Sequence, residues 1–354
     1  MKVRAIGIDL AKNVFQVHGV DEHGKVVLRK QLRRSQVIAF FAQRIPCLVG
    51  MEACGGAHEW ARRLTTLGYT VKLMGPQFVK PYVKTNKNDA ADAEAICEAV
   101  SRPNMRFVPI KTPDQQAVLA LHRARQGFVR QRTAQGDQIR GLLAEYGVTI
   151  PQGIRNIRTR LPEILEDAEI ALPSLFRQLL RQLGEHLRTL DQLVDEMDRQ
   201  IQQWHRSNEA SPRLTEIAGV GPITATAMVA SIGDARNFSS GRQLAAWLGL
   251  VPRQHSSGGK SLLLGISKRG DCYLRTLLIH GARAVIRCAG RRSKDEVTAT
   301  AGLSTTQSRN WLQSVVSRRG TNVAAVALAN KNARVIWALL AHDRRYQPSH
   351  LIAA

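Results

Sequence analysis

Two apolar runs in this chain each end on a carboxylate. Val3-Arg4-Ala5-Ile6-Gly7-Ile8 leads into Asp9, and Cys47-Leu48-Val49-Gly50-Met51 leads into Glu52. Short apolar runs with polar ends read as buried strands, so both acids are expected at strand ends. Asp89 and Asp92 lie three apart in a helix-like stretch and project from one face. Four carboxylates brought together repel one another and stay ionised together only with cations among them. A fold that gathers these four is therefore built around a cation site, which limits the arrangements open to the chain.

The pattern around the acids supplies such a fold. Strands are expected over Val3 to Asp9, Val14 to Val20 and Val26 to Leu32, the last two joined by a turn at Glu22-His23-Gly24. A short helix (Ser35 to Arg44), a buried strand (Cys47 to Met51), a helix ended by Gly68 (His58 to Leu67) and a strand (Tyr69 to Leu73) follow. Pro76 to Lys84 reads as a short helix, and Asn88 to Ser101 as a helix capped by Asn86 or Asn88. Three hairpin-linked strands followed by alternating helix and strand is the order of an α/β RNase H-like fold. In that fold the first and fourth strands carry neighbouring acids, and a later helix brings further acids to them. Glu59, Glu94 and Glu98 are read as helix-surface acids, with Glu94 a possible supporting partner of the four.

The surroundings are strongly basic. Lys and Arg number 51 against 28 Asp and Glu, a net charge of +23. Charge of that size attracts polyanions, and nucleic acid is the expected partner. An anionic membrane surface is disfavoured because the arginines are spread along the chain and not gathered on one amphipathic helix. No apolar run is expected to span a membrane, and the N-terminus reaches charge too early for a signal peptide. The five cysteines form no CxxC pair, so neither a zinc ribbon nor a disulfide framework is indicated. That fits a reducing cytoplasm.

Three domains are expected: residues 1–110, a helical segment over 111–208, and a mostly α C-terminal domain over 209–354. In the middle, Leu119, Leu121, Phe128, Ile139, Leu142 and Leu143 space like a helix interleaved with Arg123, Arg125, Arg130, Arg132 and Arg140. Leu172 to Trp204 reads as a second helix, its apolar face drawn through Leu175, Leu179, Leu183, Leu187, Leu190, Val194, Met197 and Ile201. Pro151, Gly153 and Pro162 are expected to break the connection. The pair reads either as a helical hairpin with solvated charges or as an antiparallel coiled coil that assembles protomers and lays its basic face on nucleic acid. Beyond it, Ile217-Ala218-Gly219-Val220-Gly221-Pro222 matches a helix-hairpin-helix, whose turn offers backbone N–H groups to a phosphate. Two hydroxyls, Ser256 and Ser257, stand in a Gly-rich loop beside Arg253, His255 and Lys260, followed by Lys268 and Arg269. Thr321 to Leu340 reads as a packing helix.

Taken in order, Gly7-Ile8-Asp9-Leu10-Ala11-Lys12, Met51-Glu52-Ala53-Cys54-Gly55, Lys87-Asn88-Asp89-Ala90-Ala91-Asp92-Ala93, Ile217-Ala218-Gly219-Val220-Gly221, Gly249-Leu250-Val251-Pro252 with Ser256-Ser257-Gly258, and Ile266-Ser267-Lys268-Arg269-Gly270 resemble the insertion-sequence-110 family, the DEDD transposases. The resemblance implies a RuvC-type RNase H-like domain that holds Mg²⁺ (or Mn²⁺) on Asp9, Glu52, Asp89 and Asp92. It also implies a serine nucleophile, Ser257 in preference to Ser256. The implied activity is DNA recombination of a mobile element through a phosphoserine, directed by a structured non-coding guide RNA that pairs with donor and target DNA. The implied assembly is a homo-oligomer, dimer or tetramer, with one protomer's acids meeting another's serine, in the bacterial cytoplasm on the nucleoid. Gly219, Gly221, Arg253, Lys260, Lys268 and Arg269 are the expected nucleic-acid contacts, with His255 a general-base alternative. Two rival readings keep the same acids. One is a metal-dependent junction-resolving endonuclease that uses water, and the other is a non-catalytic nucleic-acid-binding protein on the same scaffold.

Overall fold

The computed structural model describes residues 2–84, 88–292 and 306–347. Asn86 and Lys87 of the motifs above lie outside them. The chain divides into two compact units, Met1–Pro113 and Asp114–Ala354.

The first unit holds β1 (Ala5–Leu10), β2 (Val14–Val20), β3 (Val26–Arg33), β4 (Leu48–Glu52), β5 (Thr70–Met74) and β6 (Phe107–Val108), in the sheet order β3-β2-β1-β4-β5-β6. β1, β2 and β3 form an antiparallel meander, while β4 pairs parallel to β1 and β5 parallel to β4. This mixed sheet is consistent with an RNase H-like domain. β6, two residues long at the edge, is too short for any periodicity to reveal.

Successive side chains on a strand point to opposite faces. Ile6 and Ile8 of β1 and Val49 and Met51 of β4 are buried in one core with Phe41 of α1 (Val37–Ala42) and Trp60 and Leu64 of α2 (Ala57–Thr66). Gly7 and Gly50 turn to the other face. A short helix, α3 (Pro76–Val79), leads toward α4 (Asp89–Val100), which lies directly on those two glycines. A Cβ on Gly7 would sit 2.2 Å from the Ala93 carbonyl oxygen and 2.4 Å from the Cys97 nitrogen, and one on Gly50 would sit 2.7 Å from the Val100 Cβ. Asp9 and Glu52 follow these glycines by two residues and so share the face that α4 covers.

The second unit opens with α5 (Pro113–Ala144), α6 (Ile154–Glu166) and α7 (Ser174–Ser207), packed around Ile139, Leu143, Ile157, Leu161, Leu180 and Leu187. Two expectations need correction here. Pro162 does not break the chain: it lies inside α6. Proline removes one helix hydrogen bond, but Ile157, Leu161 and Ile164 are all buried in the shared core, and that burial outweighs the loss. The apolar face of α7 also differs at its start. Leu175 is 80% exposed, while Phe176 and Leu180 are buried. At about 100° per residue, Leu175 lies roughly 120° from Leu187 and Phe176 only about 20° from it. Steps of four and three alternate along Phe176, Leu180, Leu183, Leu187, Leu190 and Val194, whereas a repeated step of four drifts off the face. Nor is the basic surface of α5 wholly available. Arg125 pairs with Asp198, Arg140 with Asp137, and Arg132 and Arg158 with the buried Asp191.

After α7 come α8 (Ala210–Leu214), α9 (Pro222–Ile232), α10 (Gly241–Trp247), a two-stranded hairpin of β7 (Pro252–Gln254) and β8 (Leu263–Ile266), α11 (Cys272–Arg292) and α12 (Thr306–Ala341), the last broken at Gly320. The expectation that no segment is long and apolar enough to cross a membrane is corrected by Asn310–Ala341, which has that length and composition. Half of its apolar window is buried inside the fold, and Ala324, Ala325, Leu328, Ala329 and Ile336 join one core with residues of α9, α10 and α11. Apolarity on all sides is what a core helix of a helical unit requires.

Two predictions follow from this packing. Gly7→Ala forces α4 off β1 and lowers the stability of the first unit by about 2–4 kcal/mol; chemical denaturation measures it, and an unchanged midpoint would show that α4 does not depend on that contact. The second concerns His122, buried in α5, whose Nδ1 meets the Tyr273 hydroxyl at 2.9 Å and whose Nε2 meets the Thr226 hydroxyl at 3.0 Å. Burial first, then the charge of Arg125, lowers its pKa from 6.5 to about 4. The folded state therefore resists protonation that the unfolded chain accepts. Stability is full above pH 6.5 and falls between there and about pH 4, by roughly 3 kcal/mol in all. Comparing pH-dependent unfolding of wild type with His122→Gln isolates this fall; identical slopes in the two proteins would refute it.

Candidate metal centre and serine hairpin

The acids come together by three local causes. Parallel register pairs Ile8 with Met51, so the next residues, Asp9 one short of the end of β1 and Glu52 at the end of β4, stand on adjacent strands at one level. Asn88 caps α4, its side chain accepting the Ala90 N–H at 2.9 Å, and this fixes where the helix starts. Asp89 and Asp92 then fall in the first turn, where the helix dipole favours carboxylates. The close approach of α4 at Gly7 carries both to Asp9. One carboxylate oxygen from each of Asp9, Asp89 and Asp92 lies within 4.8 Å of the others, a set that suits a divalent cation.

Glu52 stands beside this trio. Burial, and then the charges of Asp9 and Asp92, raise its carboxyl above the ordinary value. Burial, then Glu52 and Asp9, likewise push up the Cys54 thiol, which therefore stays protonated at neutral pH. The other nearby acids face elsewhere. Glu94 pairs with Lys84 at 2.9 Å and Arg29 at 3.8 Å, Glu59 with Arg62 at 2.7 Å, and Glu98 with Arg102.

A cationic hollow that the sequence reading missed lies at the same end of the sheet. Arg33 ends β3 and Arg34 follows it, Asn13 precedes β2, and together with Arg63 and Trp60 of α2 they line a cavity of about 580 Å³. The guanidinium of Arg34 lies 5.2 Å and that of Arg63 4.8 Å from the Trp60 ring centre, and the buried Trp60 Nε1 has no hydrogen-bond partner among the described residues. The Arg33-Arg34 pair at the end of a strand was the available signal; its proximity to Arg63 and Trp60 exists only in the folded chain.

In the second unit the Gly-rich segment, expected as a loop, is a hairpin. Gly258 and Gly259 have φ of +53° and +78°, and the Lys260 N–H donates to the Ser257 carbonyl at 3.0 Å. Two successive positive φ values are those of a type I′ turn, the connection that matches strand twist. The exposed Ser257 opens this turn. The Ser256 hydroxyl instead accepts the Leu262 N–H at 3.3 Å, within the hairpin ladder. Arg253 on β7, His255, Lys260, and Lys268 and Arg269 in the loop after β8 are all exposed. Among the described residues, none of the four Lys and Arg side chains is ion-paired. That loop is fixed from below: the buried Arg275 donates at 3.0 Å to both the Leu248 and Arg269 carbonyls. Gly219 and Gly221 flank Val220 in the turn between α8 and α9, and Gly221 is the N-cap of α9.

The profile of a DEDD-type transposase of the IS110 group matches residues 6–148, and that described as Transposase IS116/IS110/IS902 family matches residues 211–298. A probable family 20 transposase of Pseudomonas aeruginosa is 54% identical, over 98% of this chain and 100% of its own length. The transposase for insertion sequence element IS1111A of Coxiella burnetii is 45% identical, over 98% and 92%. That for IS1328 of Yersinia enterocolitica is 44% identical, over 95% and 96%. Identity at this level along nearly the whole chain settles the relationship: the protein belongs to the IS110/IS1111 family of insertion-sequence transposases, enzymes that cleave and transfer DNA.

Proposed function

We propose that this transposase cuts and rejoins DNA through a phosphoserine on Ser257, at a site completed by Asp9, Glu52, Asp89 and Asp92. The observation that carries the reading is the convergence of three carboxylates, with oxygens within 4.8 Å of one another, in a chain of net charge +23. All-oxygen donors of this kind fit Mg²⁺ or Mn²⁺. Asp9, Asp89 and Asp92 would hold the ion, with Glu52 beside them. The bound ion supplies Lewis acidity and neutralises charge on the phosphate.

The rest of the chemistry belongs to the chain. Ser257 Oγ attacks the scissile phosphorus, forming an O–P bond as one phosphodiester P–O bond breaks. The serine proton passes to solvent or to His255, and the cut strand leaves as a free hydroxyl. The phosphoserine preserves the diester linkage, so a second strand's hydroxyl can displace the serine and rejoin DNA without ATP. Ser257 is preferred to Ser256 because it opens an exposed turn, whereas the Ser256 hydroxyl serves the hairpin backbone. Arg253 and Lys260 neutralise phosphate on the serine hairpin, Lys268 and Arg269 do so beyond its base, Arg33, Arg34 and Arg63 offer further cations on the sheet face opposite the acids, and the Gly219–Gly221 turn binds backbone phosphate as a helix-hairpin-helix.

A structured guide RNA directs the reaction to donor and target DNA by base pairing, in keeping with the family resemblance and with cations spread over both units. Residues 111–208 form the coiled-coil segment that assembles protomers, between a domain over 1–110 and one over 209–354. Exposed Leu175, Leu179 and Leu193 lie within about 40° on α7 and offer an apolar face to a second copy. In the assembled dimer or tetramer the acids of one protomer serve the serine of another. The bacterial relatives and five free cysteines fit work in a bacterial cytoplasm on the nucleoid.

Two outcomes are expected. With substrate DNA, guide RNA and Mg²⁺, Ser257→Ala abolishes both strand cleavage and the covalent protein–DNA adduct on denaturing gels, and Ser256→Ala keeps both. Cleavage at the wild-type rate by Ser257→Ala would instead favour the water-using endonuclease. In thermal melts, Mg²⁺ at about a hundred times its Kd stabilises wild type by roughly 2.7 kcal/mol. Asp92→Asn melts higher than wild type without metal, because it relieves repulsion, and gains little from Mg²⁺. A wild-type midpoint indifferent to Mg²⁺ would remove the metal centre from the account.

A further inference from the structure

Within the second unit a cavity of about 1610 Å³ lies against the base of the serine hairpin, touched by Pro252 of β7 and by Leu264 and Ile266 of β8. Five cations line it: Arg242, Lys331, Arg334, Arg344 and Arg345. No Asp or Glu does so among the described residues, and none of the five forms an ion pair with a described residue. The acid next to them in sequence, Asp343, pairs with Arg213 instead. Lys331 is half-buried one helical turn from Arg334, and its ammonium lies 4.9 Å from the centre of the Trp311 ring. Burial, and then the Arg334 charge, hold the Lys331 pKa below its ordinary value. A cation kept out of water beside another cation, with no counter-ion, is unfavourable until an anion arrives.

The remaining walls narrow the choice of anion. Trp311, Leu264, Val335 and Leu339 give the cavity an apolar, partly aromatic surface that a free phosphate would not use. An apolar ligand would not use five cations. Nucleotides carry both a flat apolar base and a phosphate, and bases paired in a duplex are not free to enter a hollow of this kind. The volume exceeds the roughly 300–1,000 Å³ of ordinary small-molecule sites, as a segment of strand needs. We propose that this cavity seats an unpaired stretch of nucleic acid, bases against Trp311 and the apolar wall and phosphates against Lys331, Arg334 and Arg242, beside the hairpin that bears Ser257. The proposal rests on the nucleic-acid function of the protein, not on its serine or metal chemistry.

The test is fluorescence anisotropy on the full chain carrying Ser257→Ala, in EDTA, with labelled single-stranded DNA, single-stranded RNA and duplex DNA of one length. Failure of the cleavage reading cannot disturb this assay, which needs neither the serine nor a metal. Lys331→Ala with Arg334→Ala, Trp311→Leu, and the exposed pair Arg344→Ala with Arg345→Ala each weaken single-strand binding about tenfold and leave duplex binding little changed. Trp311→Phe restores most of the affinity lost in Trp311→Leu. The DNA and RNA arms tell which strand is seated. Equal losses for single strand and duplex would reduce the cavity to general electrostatic attraction and overturn the proposal, as would unchanged single-strand binding in the Arg344/Arg345 variant, whose exposed positions do not carry the fold.

Discussion

At Gly7 the backbone of β1 meets the backbone of α4 with no side chain between them, and at Gly50 β4 takes the Val100 side chain of the same helix against its backbone. Any other residue at position 7 would place a carbon 2.2 Å from a helix carbonyl. The carboxylates of Asp89 and Asp92 can reach Asp9 only because the helix lies this low on the sheet. Alternation along the strands then does the rest, turning Asp9 and Glu52 to the helix side and Ile6, Ile8, Val49 and Met51 to the opposite core. One close contact between glycine and helix thus sets both the packing of the first unit and the geometry of its acids.

Gathering the acids has an electrostatic consequence. Glu52 is held partly toward its neutral form by burial and by Asp9 and Asp92, so the unit carries a repulsion that a cation relieves. The serine hairpin is organised on another basis. It is exposed, its form comes from two glycines with positive φ, and Arg275 anchors the loop beside it to the helical core. Here the surplus is positive: Arg253 and Lys260 lie on the hairpin that bears Ser257, and Lys268 and Arg269 follow its base. The two units thus carry clusters of opposite charge, carboxylates in the first and cations in the second.

Much of this was legible in the sequence where a signal is local. Apolar runs ending at Asp9 and Glu52, the Asn88 cap and the three-residue spacing of Asp89 and Asp92 need only neighbours along the chain to be read. What was missed depends on partners distant in sequence. Pro162 looks like a breaker until Ile157, Leu161 and Ile164 find a core to fill. The start of α7 looks like a Leu175–Leu179 face until the turn angle is carried through to Leu187. The polar triad of His122, Thr226 and Tyr273 joins residues more than a hundred positions apart, and the hollow of Arg34, Arg63 and Trp60 forms only when α2 lies beside the end of β3.

The central claim is that the low-lying α4 makes a cation site of Asp9, Asp89 and Asp92. Anomalous diffraction from crystals soaked in Mn²⁺ measures it most directly. The account predicts a peak bounded by the carboxylates of these three residues, with Glu52 beside it. A map whose Mn²⁺ peaks all lie elsewhere, with the three carboxylates free of metal, would contradict it.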